Sequence, residues 1–119
     1  MTRDMDLMRD ILLRIEEFPS YGPLIDVAID GHSDEEISYH IMQLNEEGLI
    51  EALDVSSHDG VCWKPRRLTY AGHNFLDAAR SNTVWAKAKD MVLKNTGTLT
   101  LEALKVALSL VVNSLIPGG

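Results

Sequence analysis

Apolar residues recur along this chain at two spacings, and each change of spacing marks an element boundary. Leu7, Met8, Ile11, Leu12, Ile15 and Phe18 fall three and four apart, which predicts a first helix with Asp4 as its cap and Pro19 as its stop. Over residues 24–30 the period drops to two. Ile25, Val27 and Ile29 alternate with Asp26, Ala28 and Asp30 up to Gly31, the pattern of a short strand. Helical spacing then returns over residues 33–50, with Ile37, Ile41 and Leu44 as the buried stripe and His40 at its edge. Both ends of this helix are written locally. Ser33 and Glu36 have the spacing of a reciprocal capping box, and Gly48 stands where a left-handed residue lets Leu49 fold back on Leu44.

Residues 49–55 and 61–67 flank the turn formers Ser56-Ser57-His58-Asp59-Gly60, which predicts a hairpin with a wing at its tip. Pro65 cannot donate to a ladder and so places its strand at an edge. Thr69 is positioned to cap a helix that turns His73, Phe75, Leu76 and Ala79 inward. After a break at Ser81-Asn82, another helix carries Val84, Trp85, Ala88, Met91 and Val92 and ends near Gly97. Thr100 opens the last helix, residues 101–116. Its stripe is Leu101, Leu104, Leu108, Val111 and Leu115, widened by Val106, Leu110 and Val112. A helix this apolar either lies deep against its neighbours or forms a homodimer contact with a second copy.

The helix closing in Glu46-Glu47-Gly48-Leu49-Ile50, the hairpin, and the following Arg67-Leu68-Thr69-Tyr70-Ala71-Gly72 together resemble the recognition helix, wing and next helix of a winged helix-turn-helix domain. Arg3-Asp4-Met5-Asp6-Leu7, Glu36-Ile37-Ser38-Tyr39-His40-Ile41, Gly48-Leu49-Ile50, Arg67-Leu68-Thr69 and Thr83-Val84-Trp85 are similar to a small bacterial and prophage-associated family, domain of unknown function 2513. That similarity spans almost the whole chain. It implies a winged fold and a prophage setting, and it carries no activity. The expected architecture is α+β: a winged-helix-like domain over residues 1–80, with a three-helix core, a short strand and a hairpin wing, then a helical pair over residues 81–119. An ordinary helix-turn-helix has a supporting helix where residues 24–30 read as a strand, so the standard DNA-docking geometry is not expected intact.

Composition narrows the class. A chain of 119 residues, 45% hydrophobic and 24% charged, fits one globular domain with a helical appendage. The charged start lacks the apolar core of a signal peptide, and the run from Val106 to Val112 is far short of the ~20 residues of a membrane span. With a single cysteine, which cannot form an internal disulfide, a cytoplasmic location is expected. The net charge of -7 is unevenly spread: fifteen acidic and three basic residues through Asp59, then three acidic and eight basic from Gly60 onward.

That asymmetry bears directly on function. The outward face of the central helix is Glu35, Tyr39, Met42, Gln43 and Glu46, and residues 34–47 hold five carboxylates and no lysine or arginine. Docking in a DNA groove needs cations near phosphates, so this face is expected to bind protein, with a basic or nucleic-acid-binding partner suiting its charge. The alternative is a DNA-binding transcriptional regulator, with contacts from Tyr39, Gln43, Lys64, Arg66 and Arg67 beside Trp63. Those three cations can equally pair with the acidic half of the chain. His58 and Cys62 lack the paired spacing of a metal site, and no cofactor motif occurs. The pairs Glu16-Glu17, Glu35-Glu36 and Glu46-Glu47 diverge by about 100° on a helix, so none forms an acid/base couple and no enzyme is expected.

Overall fold

The computed structural model describes residues 2–115. It is a mixed α+β chain: α1 (Met5–Glu16), α2 (Asp34–Glu46), β1 (Ile50–Asp54), β2 (Trp63–Leu68), α3 (Tyr70–Ala79), α4 (Asn82–Thr96) and α5 (Leu101–Leu115). Internal contacts divide it into two units, Met1–His73 and Asn74–Gly119, with the division inside α3.

In the first unit α1 packs on α2 and β2, and α2 packs on both strands. The stripe of α1 buries Met5, Leu7, Met8, Ile11, Leu12 and Ile15, while the Asp4 carboxylate caps the helix by accepting from the Leu7 amide at 3.1 Å. Phe18, expected on that stripe, lies past the helix end and is exposed. The end of α2 follows the sequence closely. Gly48 takes φ 77°, its amide donates to the Asn45 carbonyl at 3.1 Å, and Leu49 donates to the Leu44 carbonyl at 3.1 Å, which buries Leu49 completely. At the other end only half of the expected box forms. Ser33 Oγ accepts from the Glu36 amide at 3.1 Å, but the Glu36 carboxylate turns to His32 Nδ1 at 2.5 Å instead of reaching back to Ser33.

His40 corrects the sequence reading more strongly. Expected at the edge of the stripe, it is fully buried. Its Nδ1 faces the Glu36 carbonyl at 2.7 Å and its Nε2 accepts from the Asp4 amide at 2.8 Å. A carbonyl on one side and an N–H on the other require the neutral ring protonated on Nδ1. The imidazole thus joins the body of α2 to the start of α1.

The expected strand over residues 24–30 is not one. Ile25, Val27 and Ile29 do turn inward relative to Asp26, Ala28 and Asp30, as in an extended chain, yet among the described residues the one backbone bond to β2 is from the Ile25 amide to the Pro65 carbonyl at 2.9 Å. A ladder along this edge of β2 would use the donors of alternate residues, 63 and 65. Pro65 has none. The Trp63 amide is taken by Ser38 Oγ of α2 at 3.1 Å. Pairing therefore stops after one bond, and the sheet contains β1 and β2 alone, antiparallel with Ile50 opposite Leu68 and Asp54 opposite Trp63. The register shifts between Glu51 and Ala52, leaving Arg66 as the extra residue. Opposite Pro65, the Ala52 amide donates to Asn45 Oδ1 of α2 at 3.0 Å. The hairpin tip turns at His58-Asp59, closed by mutual bonds of 3.1 Å between Ser57 and Gly60.

Thr69 opens α3 as expected. Its Oγ1 accepts from the Gly72 amide at 3.0 Å and donates to the Gly48 carbonyl at 2.6 Å. His73, expected to point inward, is exposed, whereas Phe75, Leu76 and Ala79 are buried. In the second unit Ser81 caps α4, Gly97 ends it at φ 78°, and the Thr100 hydroxyl caps α5 by accepting from Ala103 at 3.1 Å. Phe75 and Trp85 meet edge to face at 6.2 Å, with the Lys89 ammonium 5.8 Å over the indole. Helix α5 packs on α4 through Leu101, Leu104, Ala107, Leu108 and Val111. Leu115, expected on that stripe, is 57% exposed, as are Val106 at 62% and Leu110 at 55%. Ile116 falls outside the described residues. No described helix is long and apolar enough to cross a membrane.

Candidate functional site

Helix α2 presents its carboxylates because its aliphatic stripe and three of its hydrogen-bonding side chains are used inward. Ile37, Ile41 and Leu44 are buried; His40 holds α1, Ser38 holds the start of β2 and Asn45 holds β1 opposite the bulge. What remains for the outside is Glu35 and Glu46, both exposed, with Tyr39, Met42 and Gln43 half-buried between them. Eleven residues separate the two glutamates, a rise of about 16 Å at nearly the same helical angle. The Tyr39 ring stands edge-on to His40 at 5.3 Å, so the buried histidine packs against one residue of this face. Sequence periodicity identified all five positions.

The three cations of β2 do not form a free cluster. Lys64 Nζ lies 2.6 Å from an Asp26 carboxylate oxygen, and Arg67 binds Glu51 at 2.7 Å while also donating to the Leu68 carbonyl at 3.0 Å. Only Arg66, at the bulge, is exposed and without an ion pair among the described residues. These pairs are solvent-facing and contribute little to stability. Their consequence is electrostatic: two of three positive charges on β2 are already neutralised. The hydrogen bond from Arg67, with the nearby guanidinium charges of Arg67 and Arg66, holds the Glu51 carboxyl below its ordinary value of 4.5. The same bonds raise Arg67, and the Asp26 carboxylate raises Lys64.

A measurable outcome follows for Glu51. Its NMR titration midpoint should lie below 4.5, and Arg67→Gln should move it upward. Because the folded value is the depressed one, the pair's contribution is present at neutral pH and is lost as pH falls through that value. An unchanged midpoint in the variant would show that Arg67 does not hold this carboxylate in solution.

Beside the α2 face lies a groove of about 370 Å³. The stalled segment at Asp26, Val27 and Ala28 forms one wall, α2 residues Ile37, Ser38 and Ile41 form the floor, and Val61–Lys64 form the other wall. Sequence reasoning missed it, although the alternating run ending at Asp30 was the signal. Cys62 is half-buried there. No group of three histidine, cysteine, aspartate or glutamate residues able to hold a metal occurs among the described residues. Charge separates the two units: the first holds fifteen acidic and six basic residues, a balance of -9, and the second three acidic and five basic, a balance of +2.

The features that organise this unit, from the Asp4 cap through the Gly48 turn to Thr69, fall inside a segment shared with other proteins. The chain belongs to the family described as "Hypothetical protein (DUF2513)", whose model matches residues 2–98. A protein of Haemophilus influenzae, described as an uncharacterized protein, is 35% identical over 117 residues, covering 98% of this chain and 99% of that one. No solved structure matches the chain significantly.

Proposed function

We propose that the first unit is a non-enzymatic protein-interaction module of winged-helix type, a bacterial or prophage accessory device that presents the acidic face of α2 to a basic partner. Nucleic-acid-binding proteins are the partner class that fits, because an exposed row of carboxylates competes for cations that otherwise meet phosphate. The observation that carries this reading is the pairing of Lys64 with Asp26 and of Arg67 with Glu51, next to a helix face whose charged members are Glu35 and Glu46. A DNA reader of this architecture needs that helix and that wing to be positive together. Here the helix is negative and the wing nearly neutral.

The test is affinity capture on the wild-type protein and on Glu35→Lys/Glu46→Lys, from nuclease-treated lysate of the cells that make it. A basic protein should be retained after nuclease treatment and lost with the charge reversal. Steeply salt-dependent binding of bare duplex DNA by the wild type would instead establish the DNA-binding regulator, with Arg66 as its free cation.

A further inference from the structure

The groove beside α2 has one wall built as a strand and left unpaired. Residues 26–28 are extended, and among the described residues no protein group accepts from or donates to their backbone. Since the Ile25 amide points toward β2, the Val27 amide and carbonyl point to that same side, into the groove. On the opposite wall β2 has no donor left to offer. Its Trp63 amide bonds to a side chain and Pro65 offers no donor, so this edge carries no strand partner beyond Ile25. Between the walls the floor is apolar, from Ile37 and Ile41, and Asp34 stands exposed among the lining residues. The open edge at Val27 is a template for a further strand.

The geometry points to this groove as a strand-addition site for an extended, cationic segment of a partner protein. The backbone of Val27 provides the pairing, Ile37, Ile41 and Val61 receive alternate apolar side chains, and Asp34 selects lysine or arginine at the intervening positions. Lys64 is held by Asp26 and so does not oppose a positive occupant. A second copy of this chain is disfavoured as the occupant, because two first units, each with a balance of -9, repel one another. The site rests on the protein-binding reading of this unit and gives it a particular docking mode.

The probe is an acetylated, amidated hexapeptide of alternating lysine and valine, added to the full chain at low salt and followed by amide NMR. Saturable shifts should appear at Val27 and Ala28 and at Val61–Trp63, with slowed exchange of the Val27 amide. The same peptide N-methylated at alternate residues keeps its charges and loses its donors, and should bind at least about tenfold more weakly. Asp34→Asn should weaken the unmodified peptide roughly twofold to threefold. Equal binding of the methylated and unmethylated peptides overturns strand addition. Shifts confined to Glu35, Tyr39 and Glu46 overturn the groove and leave the acidic-face reading standing. Absence of peptide binding also overturns the groove, while the lysate capture decides the broader reading separately.

Discussion

Gly72→Ala is expected to destabilise the first unit by about 3 kcal/mol or more, against the sign that helix propensity predicts. In a helix that is free to relax, this exchange stabilises by up to about 1 kcal/mol. At Gly72 an added Cβ would lie 2.0 Å from the Leu49 carbonyl oxygen and 3.0 Å from its carbon. That carbonyl is not free to retreat. It accepts from the Thr69 amide at 3.0 Å, and Leu49 is pinned by its own bond to Leu44 at the end of α2. Relief requires α3 to lift off the chain reversal after Gly48, breaking the Thr69 bonds to both Leu49 and Gly48. Urea denaturation with hydrogen exchange on α2 amides measures the effect. His73→Ala, one residue away and exposed, serves as the control and should change stability by less than about 0.5 kcal/mol. A Gly72→Ala protein as stable as wild type would mean that α3 does not approach Leu49 this closely in solution.

The second large effect is expected at His40. His40→Leu keeps most of the buried volume but removes the acceptor for the Asp4 amide, and should cost about 1–3 kcal/mol. His40→Ala adds a cavity at a fully buried site and should cost about 3–4 kcal/mol in total. The two variants separate the packing contribution from the hydrogen bond. Exchange at the Asp4 amide should accelerate in both, because α1 then loses its tie to α2 while Asp4 still caps Leu7. Tyr39 packs edge-on against the same imidazole, so weaker partner capture by His40→Leu is expected to follow from a loosened Tyr39. Stability within 0.5 kcal/mol of wild type for His40→Leu would show that the Asp4 amide is well satisfied by water.

What could be read from the sequence is what neighbours in the chain decide. Helical spacing located all five helices; Asp4, Ser33, Thr69, Ser81 and Thr100 start them; Gly48 and Gly97 turn out of them in left-handed conformations. Each of these features depends on atoms within about four residues, so the information is local. The exposed face at Glu35 and Glu46 was readable for the same reason: helical periodicity sorts sides without needing to know what lies opposite.

The remaining outcomes were set by partners far along the chain. Residues 24–30 carry a proper strand pattern, yet a strand exists only where another supplies donors and acceptors. Proline at 65 and the capture of the Trp63 amide by Ser38, 25 residues away, withhold the donors. The cations of β2 likewise look like a basic cluster until Asp26 and Glu51 are brought beside them. Sequence therefore determined the elements, their ends and the acid face of α2. Tertiary structure alone decided which backbone edge stays open and which positive charges stay free, because both depend on pairing between segments whose approach no short-range pattern encodes.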